Sequence, residues 1–125
     1  MLHTARLIGF AATTDPAAAK KFYEGVLGLT LIEDSPFALV FDANGTMLRI
    51  QKVETQITPR HTVLGWSVGD LQAAIAHLSA KGVPFERFDG LPQDASGIWT
   101  TPDGSRVAWF KDPDGNTLSL TEFRR

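Results

Sequence analysis

LVFDANGTMLRI (residues 39–50) and AWFKDPDGNTLSL (residues 108–120) are one structural phrase written twice. Each is an apolar run, an Asp, a Gly-containing turn, and a second run in which apolar and polar residues alternate. Each also lies downstream of a segment that carries helix start and stop signals. In the first half Asp15 fits an N-cap and Pro16 the first helical position. Ala19, Phe22, Tyr23 and Val26 form the 3.6-residue stripe, and Gly28 fits the stop. In the second half Asp70 caps a helix with the stripe Leu71, Ala74, Ile75 and Leu78, closed by Gly82. Self-similarity of this kind decides the fold, because each copy is one supersecondary unit.

The strands follow from alternation and turn residues. The first half reads as strands at 6–13, 29–32, 37–41 and 46–53, with the turn Asp42-Ala43-Asn44-Gly45 accommodating positive φ. Residues 54–59 are polar and contain a proline, and read as a linker. The second half reads as strands at 62–68 and 83–88, then an insertion at 89–97. A hairpin of 98–101 and 107–110 follows around Pro102-Asp103-Gly104, and the last strand is 116–123. The spacing locates the insertion. Asp15 to Asp70 is an offset of 55 and Gly28 to Gly82 one of 54, whereas Gly45 to Gly115 is 70. The fold class is therefore α+β, two tandem βαβββ modules, at 1–55 and 60–125, making one domain.

Bulk properties narrow the function. The chain has 125 residues, 43% hydrophobic and 21% charged, enough for one sizeable core and unlike a disordered segment. A net charge of −2 and a pI near 5.8 argue against nucleic acid or an anionic membrane as the partner. The absence of cysteine excludes disulfides, thiolate metal sites and thiol nucleophiles. No stretch has the layout of a secretory leader or the length of an apolar membrane span, so the expected location is the cytoplasm.

FYEGVLGL (22–29), KGVPFE (81–86) and above all WFKDPDGNTLSL (109–120) resemble the vicinal oxygen chelate superfamily. That superfamily includes glyoxalase I, extradiol dioxygenases and bleomycin-resistance proteins. The resemblance covers nearly the whole chain and implies curved mixed sheets enclosing a pocket, with helices on the outer face. The metalloenzymes of the family place ligands on the first and last strands of each module. Carried over by spacing, those positions are Ile8, Arg49, Val63 and Ser119. Ile and Val have no donor atom, Arg is itself a cation, and a Ser hydroxyl is a weak ligand beside His or carboxylate. No metal and no other cofactor is therefore expected. His61, two residues before Val63, is the isolated candidate for a relocated metal centre.

Alternation then nominates the pocket side chains. Met47, Arg49 and Gln51 oppose Leu48 and Ile50, and Thr117, Ser119 and Thr121 oppose Leu118 and Leu120. By the family pattern the aliphatic sets pack on the helices. Arg49 is the sharpest candidate, since a guanidinium in a cavity suits a carboxylate, phosphate or enolate oxygen; its ordinary alternative is an ion pair with an acid such as Glu54. His61 suits a base or an orienting donor, or an ordinary polar residue before a strand. Trp99 and Trp109 suit stacking on a flat or cationic ligand, or packing in the core or a dimer interface. Glu122 reads as a surface residue, and Asp112 and Asp114 as turn residues. The expected ligand-binding set is thus Arg49, Gln51, His61, Ser119, Trp99 and Trp109. The leading expectation is a protein that binds a small anionic or carbonyl-bearing molecule without metal. The alternatives are a metal-dependent lyase, isomerase or dioxygenase, and a subunit whose cavity is vestigial. A homodimer is expected, with the hairpin aromatics as the interface.

Overall fold

The computed structural model describes residues 1–125, and the chain divides into two compact units, Met1–Thr58 and Pro59–Arg125. In the first unit the strands are β1 (Ile8–Thr13), β2 (Thr30–Asp34), β3 (Ala38–Ala43) and β4 (Thr46–Lys52), in the sheet order β1-β4-β3-β2. β1 runs parallel to β4 and the remaining pairs are antiparallel. A parallel pair needs a crossover, which α1 (Pro16–Lys20) and the residues after it supply.

The crossover helix changes character midway. Asp15 caps it, its carboxylate accepting from the Ala18 N–H at 3.2 Å. From Lys21 to Val26 the helix widens to π geometry, with the Leu27 N–H bonding the Phe22 carbonyl at 2.9 Å. The stripe that reads as one regular helix to residue 27 is thus an α turn followed by a π segment. The wider turn leaves Tyr23 fully buried, its ring centroid 5.8 Å from that of Phe41. Packing of that ring offsets the poorer hydrogen-bond geometry. Leu39, Phe41, Leu48 and Ile50 complete this core, with Leu48 and Ile50 on the helix side as the alternation of their strand implies.

β3 and β4 join through Asn44 and Gly45, with φ of 52° and 94°. Both central residues of this two-residue loop need positive φ, the geometry that matches strand twist and that Asn-Gly adopts at low cost.

The second unit repeats the topology. β5 (Thr62–Ser67), α2 (Leu71–Ala80), β6 (Trp99–Thr100), β7 (Arg106–Lys111) and β8 (Thr117–Glu122) form a sheet of order β5-β8-β7-β6, with β5 parallel to β8. Leu71, Ile75 and Leu78 of α2 are buried with Ala108, Phe110, Leu118 and Leu120. The duplicated βαβββ arrangement expected from the two phrases is present in both units.

Residues 83–88 depart from expectation. They form a loop, not a strand, touching the sheet through one bridge between Phe85 and Phe110. Pro84 has no N–H for a ladder. The Gln93 side chain does the work of strand pairing instead, donating to the Glu86 and Gly97 carbonyls at 3.0 and 2.8 Å and accepting from the Phe88 N–H at 2.8 Å. The turns also differ between units. Asp112, 5% exposed, closes the longer β7–β8 loop by accepting from the N–H groups of Asp114 and Asn116, the structural role the sequence assigns it.

Candidate functional site

Each sheet has one face under its helix and one open face. On the first sheet Phe10 pairs with Arg49, and Arg49 with Val40, so these side chains share the open face. Ile8, Met47 and Asp42 form the next row, and Ala12, Gln51 and Ala38 the row on the other side. Arg49 is half-buried and Gln51 exposed. The Arg49 guanidinium reaches back along β4 until Nη1 lies 4.0 Å from Met47 Sδ. No carboxylate forms an ion pair with it, and Glu54 in particular does not. The other basic residue of β4, Lys52, points to the helix-side face and is spent on Asp34 at 2.5 Å. That hydrogen bond and charge hold the Asp34 carboxyl below its usual range.

A cavity of about 450 Å³ opens beside the Met47 row, walled by Arg6, Leu7, Ile8, Ile32, Val40 and Met47. Its walls are aliphatic and its one cation is Arg6, which has no ion-pair partner. Asp42 also borders it, with Oδ1 engaged by the Gly45 N–H at 2.9 Å. Arg49 does not itself line the cavity, but its row neighbour Val40 does, and its guanidinium lies against the wall residue Met47. Ile8, Met47 and Ile32 are 45%, 41% and 61% exposed whereas Val40 and Ala38 are 3% and 1%, so the open face is apolar and uncovered at the former three residues but not along β3. The sequence reading missed Arg6, although the spacing Arg6, Ile8, Phe10 carries the signal. Two-residue alternation continues from β1 into the segment before it.

The second unit brings together three of the expected residues. Ser119 pairs with Trp109 on one side and Gly65 on the other, and Trp99 pairs with Val107 one row away. The Trp99 and Trp109 rings stack with centroids 6.3 Å apart, and Phe88 meets Trp109 edge-on at 5.3 Å. Trp109 Nε1 donates to Thr62 Oγ1 at 3.2 Å, so the indole reaches across β8 to β5. A β-bulge between Thr62 and Leu64 breaks the alternation that would give His61 the face of Val63. His61 stands before β5, exposed, with Nδ1 2.9 Å from the Thr62 carbonyl oxygen.

The donor set for a family-type metal does not fit. On the first open face the row at Arg49 holds Phe10 and Val40; on the second the row at Ser119 holds Gly65 and Trp109. No three His, Asp or Glu side chains group so as to hold a metal ion. No helix is long and apolar enough to cross a membrane.

The family model described as Glyoxalase/Bleomycin resistance protein/Dioxygenase superfamily matches residues 1–120. No curated protein matches the chain. Among solved structures, a lactoylglutathione lyase from Agrobacterium tumefaciens superposes with a TM-score of 0.74 at 21% identity, over 95% of this chain and 93% of that one. A glyoxalase family protein from Enterococcus faecalis gives 0.72 at 22% identity, over 98% and 100%. A superfamily member from Sphaerobacter thermophilus gives 0.70 at 24%, over 94% and 97%. At these identities the likeness is one of fold, and fold alone does not carry activity.

Proposed function

The chain belongs to the Glyoxalase/Bleomycin resistance protein/Dioxygenase superfamily, and on that premise we propose that it binds a small anionic or carbonyl-bearing molecule without the metal of its catalytic relatives. The observation that carries this reading is the unpaired Arg49, half-buried on an apolar open face beside a cavity that has a second unpaired arginine, Arg6, in its wall. A guanidinium left without a protein carboxylate on a partly desolvated surface is a ready partner for a carboxylate or enolate oxygen. The aliphatic walls of Ile8, Val40 and Met47 suit the body of such a ligand. Where the bound carbonyl develops negative charge, the same guanidinium stabilises it as an oxyanion partner would. A reaction on this site is of lyase or isomerase type, and simple sequestration needs no further group. The protein acts as a homodimer, which the uncovered apolar residues of the first open face support.

The experiment is a panel of aliphatic carboxylates and 2-oxo acids, read by ligand-observed NMR against wild type and Arg49→Met. Removing the guanidinium is expected to weaken the best binder by about 100-fold. A neutral amide of the same acid should bind wild type and variant alike. Equal affinity of the acid for wild type and variant sinks the assignment of Arg49.

A further inference from the structure

Ser119 is 8% exposed, and its hydroxyl, which has no hydrogen-bond partner within the protein, keeps contact with solvent. A hydroxyl held only by water can exchange that water for a ligand acceptor. The direction of this hydroxyl is set by its neighbour on β5. A methyl group placed on Gly65 would sit 2.7 Å from Ser119 Oγ. The hydroxyl therefore points into the space that the missing side chain of Gly65 leaves open, and Gly65 itself is exposed. On the other side of Ser119 stands Trp109, whose ring is stacked on Trp99 and flanked by Phe88. A notch results, with an unpaired hydroxyl at its floor, a glycine at its mouth and an aromatic wall beside it.

We infer that this notch on the second open face is a binding site for a planar conjugated ring with an oxygen or nitrogen acceptor at its edge. The aromatic wall selects a flat face by stacking. The Ser119 O–H is free to donate. The Thr62 hydroxyl, already accepting from Trp109, is left to donate as well. No carboxylate shares these rows, so nothing there calls for a cation; the row of Lys111 adds only a side chain paired with Glu86 at 3.7 Å. The site stands on different residues from the anion reading and does not depend on it.

The test uses the full chain labelled with ¹⁵N and neutral probes, so that arginine charge plays no part. Coumarin supplies a flat ring with a carbonyl edge, naphthalene the ring without an acceptor, and cyclohexanone the carbonyl without a flat ring. Coumarin is expected to shift the indole N–H signals of Trp99 and Trp109 and leave that of Trp66, on the helix-side face, in place. Ser119→Ala should weaken coumarin about fivefold, the worth of one hydrogen bond, and leave naphthalene unchanged. Gly65→Ala, which fills the notch, should weaken both rings. Should Gly65→Ala fail to fold, Ser119→Ala carries the decision alone. Equal affinity of coumarin and naphthalene for wild type, or coumarin binding untouched by Ser119→Ala, overturns the site. Loss of coumarin binding in Arg49→Met would overturn it too, by placing the ring elsewhere.

Discussion

Glu122, on the last strand, holds the first turn of α2. Its Oε1 accepts from the Leu71 N–H at 2.8 Å, while Asp70, the N-cap, accepts from the Ala73 N–H at 3.0 Å. The first N–H groups of a helix have no partner within it. Here one is met from the cap and another from a strand far away in sequence. Arg106 supports the carboxylate at 3.6 Å. Glu122→Ala is expected to cost about 1–2 kcal/mol, the typical worth of a cap, and Glu122→Gln less, since its amide oxygen still accepts. Denaturant melts of the two variants check this; equal destabilisation would mean that charge, and not the hydrogen bond, matters.

Tyr23 anchors the π segment. It is fully buried against Phe41, and truncation leaves a cavity the surrounding strands cannot fill. Tyr23→Ala should destabilise the protein by about 3–5 kcal/mol. Phe37, 78% exposed, gives the contrast: Phe37→Ala should stay within about 0.5 kcal/mol of wild type. Urea midpoints for the pair decide whether burial, and not aromatic identity, sets the cost.

Purified protein is expected to carry no stoichiometric Zn, Ni, Fe or Mn, because Ile8, Arg49, Val63 and Ser119 offer no good divalent ligand. Turnover of a glutathione hemithioacetal should be absent for the same reason, since that chemistry uses the metal as Lewis acid. Elemental analysis after mild chelation is the measurement. About one retained metal ion per chain would falsify the expectation and revive a relocated centre.

A C2 homodimer is expected at micromolar concentration. Phe10 and Ile32, 49% and 61% exposed on one open face with Ile8 and Met47, are costly to leave in water. Phe10→Glu should shift the light-scattering mass toward the monomer without unfolding the chain. A wild-type mass equal to one chain sinks the proposal.

Much of the molecule was legible in residue order. Local chemistry decides helix caps at Asp15 and Asp70, the Asn44-Gly45 turn, and which residues of β4 and β8 share a face, because each depends on neighbours within a few positions. The βαβββ repeat followed from those signals taken twice. The tertiary structure decided what depends on partners far away in the chain. The β-bulge before Leu64 interrupts the alternation that relates His61 to Val63, and alternation cannot foresee an inserted residue. Gln93 took the place of a strand at 83–88 by bonding three backbone groups that sequence distance does not reveal. Arg49 was identifiable as open-faced, but only the fold shows that no carboxylate reaches it, and only the fold sets Ser119 against the missing side chain of Gly65. Periodicity assigns a side chain to a face; which groups it meets there is set by the packing of distant segments.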